Sequence, residues 1–148
     1  MPIWHVQSSL ERLQELSRDT LIDHLGIEFV EIGPDHLRAR VPVDRRTVQP
    51  DGILHGGASV ALAETLGSVA ASLCLDPEKQ RCVGIEINAN HVRAVTGGFV
   101  TGVASPVRLG RSIQIWEIRI YSEEEKLVCI SRLTVAVLDR GGRDHGNR

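Results

Sequence analysis

A single acidic residue, Glu64, interrupts a long run of apolar and small residues that starts at His55-Gly56-Gly57. A charge placed in apolar surroundings is costly unless it is paired or used. A carboxylate held on such a helix is suited to act as a general base or as a nucleophile. Glu64 is therefore the first candidate for catalysis, and a structural acid paired with an arginine across an interface is the alternative interpretation.

The start of the same run supplies hydrogen-bond donors. The first N–H groups of a helix have no partner within it and lie at the positive end of its dipole. Gly56 has no side chain that would block a ligand from reaching them. An oxyanion or a polarised carbonyl could bind there.

Distance separates these two groups. Gly56 and Glu64 are eight positions apart in the chain, which is about 12 Å along a helix axis. Both cannot reach one carbonyl carbon from the same subunit. If both act on one substrate, one subunit gives the helix start and another gives the carboxylate, so a two-fold dimer would contain two equivalent sites.

Small residues surround Glu64 on its helix face. Val60, Ala61, Gly67 and Ser68 lie three or four positions away from it, which is the spacing of side chains that share one face. They are expected to leave space for a ligand beside the carboxylate. Ser68 is also open to the interpretation of a packing residue.

The flanking patterns predict an α+β fold, in which one antiparallel sheet of about six strands wraps one long central helix behind a short N-terminal helical segment. The helix is predicted from Gly56 to near Asp76, and Val83, Ile85, Ile87 and Ala89 are expected to share one strand face. The predicted strands cover residues 27–32, 37–43, 82–92, 99–107, 111–121 and 127–138. Since the helix is apolar or small on every side and the sheet covers only part of it, a homodimer at least is expected.

Composition limits the class of protein. The 148 residues are expected to form one domain over 1–139, with a disordered tail over 140–148. A net charge of −2 and an aromatic content of 3% argue against binding of nucleic acid.

An odd count of three cysteines, the lack of a signal-peptide pattern and a helix interrupted by Glu64 favour a cytoplasmic protein that does not enter a membrane. The sequence shows no metal-ligand spacing, and Cys74 has no adjacent base that would make it a nucleophile.

The chain contains two extended motifs, Gln49-Pro50-x-Gly52-x-x-His55-Gly56-Gly57-Ala58 and Glu64-Thr65-x-Gly67-Ser68. These motifs and the order of elements resemble a known family, the hotdog-fold acyl-CoA thioesterases. The similarity runs from Trp4 to Leu138. It is strongest to the aromatic acyl-CoA branch, which contains Arthrobacter-type 4-hydroxybenzoyl-CoA thioesterases, phenylacetate-pathway thioesterases and thioesterases of menaquinone and enterobactin synthesis.

The resemblance implies hydrolysis of acyl-CoA thioesters, with aryl or medium-chain acyl groups favoured and carrier-protein thioesters as the other substrate. Glu64 would attack the thioester carbonyl or activate a water, and the Gly56 N–H would bind the oxyanion. Gln49 and His55 would orient the thioester and help the thiolate leave, and Ser68 would touch the acyl group or hold the water. The resemblance implies no cofactor and no metal, and a homotetramer built as a dimer of dimers.

Coenzyme A contacts are also implied by the resemblance rather than by spacing. They fall on two segments that look like the aromatic branch: Gly84, His91 and Arg93 in the first, and Arg108, Leu109, Gly110, Arg111 and Ser112 in the second. This chain has Val92 and Ala94 where relatives often carry a second histidine and a proline.

Plainer interpretations stay open beside these. Gln49 could be a loop residue, His55 a helix-entry residue, His91 a satisfied strand histidine, and each arginine a surface charge. Two other functions also stay open: a hotdog hydratase or dehydratase acting on acyl thioesters, and a non-catalytic acyl-CoA binding protein.

Overall fold

The helix that carries Glu64 is the centre of the fold in the computed structural model, which describes residues 1–141. This helix, α3, covers Gly56–Leu73, with His55 as its N-cap and Cys74 as its C-cap. Leu62 and Leu66 are fully buried on its inner side. The helix ends three residues before the predicted position.

Nine elements follow one another within residues 1–141, and the predicted α+β architecture is confirmed. The strands pair antiparallel in one sheet of order β1-β2-β4-β5-β6-β3, and α1 and α2 form the short N-terminal helical segment. The elements are α1 Leu10–Leu16, α2 Leu21–His24, β1 Glu28–Ile32, β2 Leu37–Pro42, α3 Gly56–Leu73, β3 Gln80–His91, β4 Phe99–Leu109, β5 Ile113–Tyr121 and β6 Leu127–Asp139.

The predicted disordered tail covers 140–148, and the structure describes only its first two residues, 140 and 141. The Arg140 N–H donates to the Lys79 carbonyl oxygen at 2.7 Å, so the chain is still attached to the sheet there. Residues 142–148 lie outside the described residues.

Gly67 brings α3 close to the sheet. A Cβ at this position would lie 2.5 Å from Leu133 Cδ2 and 3.5 Å from Ile118 Cδ1. The sequence-based expectation that Gly67 leaves space for a ligand is therefore wrong, because core side chains already fill that space. Glycine here serves helix–sheet packing, where an added methyl group would overpack the core.

One stripe of α3 is not covered by the sheet. Gly57, Ala61, Glu64, Ser68 and Ser72 are exposed or half-buried, and they recur at spacings of three and four residues, so they line one side of the helix. The prediction that the sheet covers only part of the helix is confirmed. The candidate carboxylate lies on this side, where the helix borders the edge strand β3.

The strand beside this stripe, β3, contains a bulge. Its pairing with β6 shifts between Gly84 and Glu86, so that Ile85 is an extra residue. Ile87 and Ala89 pack against the core as expected, but Cys82 takes the place expected for Val83. Val83 and Ile85 are 39% and 57% exposed. The expectation that all four residues share one face is therefore wrong for Val83 and Ile85, because one extra residue reverses the alternation.

Candidate active site

A cavity of about 540 Å³ lies between α3 and β3 and contains Glu64. Its walls are apolar or small apart from the carboxylates of Glu64 and Glu86, and Glu86 accepts hydrogen bonds from the Asn88 amide. The lining residues are Gly57, Val60, Ala61, Glu64, Gly84, Ile85, Glu86 and Ile87. We call this the carboxylate half-site.

Glu64 is half-buried and little constrained by partners. The Ser68 hydroxyl donates to Glu64 Oε1 at 3.4 Å. None of the ion pairs found in residues 1–141 involves Glu64. An arginine partner within the described chain is therefore excluded, and the carboxylate is available to a ligand.

The first turn of α3 has one unused donor. The Gly57 N–H donates to His55 Nδ1 at 2.7 Å, and the Ala58 and Ser59 N–H groups donate to the His55 carbonyl oxygen at 2.9 and 3.2 Å. In the part of the chain that is described, the Gly56 N–H has no acceptor. The helix dipole and this N–H together favour a negatively charged oxygen at Gly56.

Gln49 reaches the same end of the helix through a short loop. The loop closes at a bridge between Val48 and Leu54 and turns at Gly52, whose φ of 80° suits glycine. Gln49 Oε1 accepts from the Asp51 N–H. The other end of this side chain, the Nε2 amide, therefore has donors left for a ligand.

A second cavity, of about 420 Å³, joins Gln49 to the helix start. His91 closes over it, since a Cβ on residue 56 would lie 3.0 Å from His91 Nε2. The lining residues are Gln49, Ile53, Leu54, Gly56, Ser59, His91, Val92, Arg93, Ala94 and Val128. We call this the donor half-site.

The candidate residues thus divide into three groups. Glu64, Ser68 and Gly84 belong to the carboxylate half-site, whereas Gln49, Gly56, His91 and Arg93 belong to the donor half-site, with His55 as the helix cap beside it. Among residues 1–141, no residue lines both cavities. The third group lies at the end of β4 and in the turn after it and lines neither cavity; it comprises Arg108, Leu109, Gly110, Arg111 and Ser112.

The model of the family described as "Thioesterase superfamily" matches residues 51–129. The chain belongs to this superfamily. The family prediction is confirmed, and the protein is a thioester hydrolase.

Similar proteins agree with the aromatic branch of the resemblance. A 1,4-dihydroxy-2-naphthoyl-CoA hydrolase from Escherichia coli K12 is 51% identical over 136 residues, covering 92% of this chain and 99% of that protein. The proofreading thioesterase EntH from Cronobacter turicensis is 53% identical over 136 residues, covering 92% and 98%. The crystal structure of a thioesterase from Haemophilus influenzae has a TM-score of 0.93 at 50% identity, covering 97% of this chain and 99% of that one.

Two of the three cysteines of the thioesterase, Cys74 and Cys129, are poorly suited to attack a thioester. Cys74, Cys82 and Cys129 are all free. Burial, with a smaller effect from Cys82, raises the pKa of the Cys74 thiol to about 11, and burial also raises the pKa of Cys129. Both thiols are therefore protonated at neutral pH, where the thiolate is the reactive form.

Two further findings concern the described residues alone. In residues 1–141, no group of three or more His, Cys, Asp or Glu side chains is arranged to hold a metal ion. No helix in that range has the length and hydropathy needed to cross a membrane.

Sequence reasoning assigned no role to several residues that form the walls. Ile85 and Ile87 line the carboxylate half-site, and Ile53 and Val128 line the donor half-site. The alternation of apolar and polar residues in β3 already indicated that Ile87 lies on the inward face of the strand. Nothing in the local pattern identified Val128, which reaches the site from β6.

Proposed function

We propose that the protein hydrolyses acyl-CoA thioesters in a site formed by the carboxylate half-site of one subunit and the donor half-site of another. The observation that carries this proposal is that Glu64, which forms no ion pair within residues 1–141, and the Gly56 N–H, which has no acceptor there, line separate cavities on one helix. Their eight-residue spacing corresponds to about 12 Å along the helix axis. Hydrolysis needs both kinds of group on one carbonyl.

The edge strand β3 offers a way to join the two halves. Gly84 lines the carboxylate half-site and His91 lines the donor half-site. If two β3 edges pair antiparallel about a point between Ile87 and Asn88, Gly84 of each copy lies opposite His91 of the other. A long edge strand that exposes Val83 and Ile85 also favours such pairing, because open apolar edges associate.

The reaction then follows from the positions of the donors. The thioester carbonyl oxygen accepts a hydrogen bond from the Gly56 N–H, and the negative charge that develops on it is stabilised by the helix start. Glu64 of the partner attacks the carbonyl carbon, giving an anhydride that water hydrolyses, or removes a proton from an attacking water. In either case the C–S bond breaks, the thiolate leaves with help from Gln49 and His55, and the free acid forms. Ser68 holds the carboxylate or the water.

The neutral His55 ring has a defined tautomer in this scheme. Nδ1 accepts the hydrogen bond of the Gly57 N–H, so the proton of the neutral imidazole is on Nε2. The ring is then a donor toward the thioester and also a helix cap. His55 thus caps the start of the helix through Nδ1. Its proposed second role, donation of a hydrogen bond to the thioester, depends on the Nε2–H group.

Substitutions at His55 are expected to separate the two roles. Asparagine caps helices well, whereas alanine does not and lowers stability by about 1 kcal/mol. We expect His55→Asn to keep the melting temperature but to lower kcat about 10-fold or more, as for loss of one positioned donor. His55→Ala should lower both. Full activity of His55→Asn, measured with a thioester and thermal unfolding in parallel, would assign His55 to capping alone.

The acyl group is proposed to be aryl or medium-chain, and coenzyme A is proposed as the leaving group, with carrier-protein thioesters as the competing substrate. The naphthoyl-CoA hydrolase among the relatives supports the aromatic choice. Arg93 lines the donor half-site, and Arg108, Arg111 and the rest of the second segment would contact the nucleotide only in an assembly. The proposal also includes a homotetramer made of two such dimers. It further includes a cytoplasmic location, in keeping with the free thiols.

A thioester panel tests the substrate class. We expect kcat/KM for benzoyl-CoA-type substrates to exceed that for acetyl-CoA by at least about 10-fold, because an apolar pocket gains roughly 1–3 kcal/mol from added apolar contact. The same acyl groups on a carrier protein form the second arm of the panel. Equal kcat/KM for acetyl-CoA and aryl-CoA would contradict the aromatic choice.

A further inference from the structure

We infer that Gly84 is a positioning residue for Glu64: the missing side chain at Gly84 leaves the space in which the Glu64 carboxylate is held against β3. This inference rests on the proposed catalytic role of Glu64. It differs from a coenzyme A contact, which is what the family resemblance implied for Gly84.

The first observation is the close approach of the two residues. A Cβ built on Gly84 would lie 2.6 Å from Glu64 Oε1 and 3.6 Å from Glu64 Cδ. A carbon and an oxygen atom cannot pack at 2.6 Å without one of them moving. The other near atom, Leu133 Cδ1, is at an ordinary contact distance of 3.5 Å. The Glu64 carboxylate is therefore the one group that a side chain on residue 84 would displace.

The second observation is the bulge in β3. Gly84 pairs with Val135 and Glu86 pairs with Thr134, so Ile85 has no residue opposite it. In a regular strand Ile85 would face the same side as Ile87, toward the helix. The extra residue reverses the alternation and presents Gly84 instead. The bulge thus keeps the isoleucine side chain away from the carboxylate and leaves it exposed on the rim of the cavity.

Gly84 and Ser68 together define where the carboxylate lies. Glu64 Oε1 occupies the space that a side chain on residue 84 would fill, and the Ser68 hydroxyl donates a long hydrogen bond of 3.4 Å to the same oxygen from the next turn of the helix. The other oxygen, Oε2, is then the one presented to a substrate. A displacement of about 1 Å in a reacting group costs on the order of 10²-fold in rate, so the geometry at Gly84 bears directly on kcat.

The substitution Gly84→Ala is predicted to act on chemistry rather than on folding. The added methyl group meets the free end of a flexible side chain, which rotates away, and it meets no backbone atom within 4 Å among the nearest contacts. We therefore expect kcat to fall about 10–100-fold, with KM changed less than about 3-fold and the melting temperature within about 3 °C of wild type. Gly97→Ala is the matched control, since a Cβ there meets nothing within 4 Å and its φ is not positive.

The double variant distinguishes positioning from a direct contact with coenzyme A. Glu64→Gln keeps the shape of the side chain but removes the carboxylate, so adding Gly84→Ala to it should lower the residual kcat by less than about 2-fold. If residue 84 acted through coenzyme A, Gly84→Ala would raise KM both in the wild-type protein and in the Glu64→Gln variant. It would also change kcat by the same factor in both, and this result would overturn the inference.

Each outcome has one meaning. Full activity of Glu64→Gln would refute the proposed function itself. An inactive Glu64→Gln together with a Gly84→Ala that matches Gly97→Ala in kcat would refute only the positioning role. Unfolding of Gly84→Ala would also overturn it, because the space at residue 84 would then not be occupied by the carboxylate alone.

Discussion

Glu64→Ala is expected to lower kcat for thioester hydrolysis by at least about 10³-fold, the usual effect of removing a central catalytic group. The protein should stay folded and keep its oligomeric state. Glu64 forms no ion pair within residues 1–141, and its single hydrogen bond, to Ser68, is long. Removal of the side chain therefore breaks no interaction on which the core depends.

Steady-state kinetics with an aryl-CoA substrate, together with size-exclusion chromatography, measures this effect. Glu64→Gln is the isosteric companion, and it should be as inactive as Glu64→Ala. A structural acid would give the opposite pattern, with a lower melting temperature and little change in kcat. Hydrolysis at the wild-type rate in either variant would refute Glu64 as the catalytic carboxylate.

Gly56→Pro is expected to produce the second largest effect, a loss of about 10²–10³-fold in kcat, which is typical for removal of one oxyanion donor. Proline lacks the N–H that Gly56 leaves unpaired, yet it fits the first position of a helix. The preceding residue, His55, already has φ −67° and ψ 131°, the extended conformation that a following proline requires. The helix is therefore expected to form normally.

Gly56→Ala is the control that separates the lost donor from the added bulk. Both variants place a Cβ 3.0 Å from His91 Nε2, and the exposed imidazole has room to shift. Alanine keeps the N–H, so it should keep kcat within about 5-fold of wild type, whereas proline should not. Equal losses in both variants would indicate that crowding at His91, rather than the N–H, is responsible.

The helix, the succession of elements along the chain and the family could be predicted from the sequence, because each depends on local patterns, whereas the pairing of β3 with β6 and of β2 with β4 joins segments that are distant in the chain. The run from Gly56 to Leu73 has helical character throughout, and the motifs around Gly56 and Glu64 are contiguous. The separation of Gly56 from Glu64 also followed from spacing alone, since eight positions on a helix fix a distance of about 12 Å.

The bulge at Ile85 could not be predicted, since it arises from the pairing of β3 with β6 and leaves no mark in a strand that alternates well. It led to a wrong face for Val83 and concealed the contact between Gly84 and Glu64. The capping bond from Gly57 to His55 is likewise a matter of side-chain geometry. The segment from Arg108 to Ser112 lies away from both cavities, so its proposed contact with coenzyme A depends on a partner subunit that a single chain does not contain.

Mixing two inactive subunits tests the shared site most directly. Glu64→Ala and Gly56→Pro chains, carrying different tags and co-expressed, are purified so that only mixed assemblies remain. In a mixed dimer one site receives an intact Gly56 from the first chain and an intact Glu64 from the second, and the other site receives neither, so kcat per dimer should return to about half of the wild-type value. Recovery of no activity in mixed dimers, with each chain folded, would contradict the account and place both groups in one subunit.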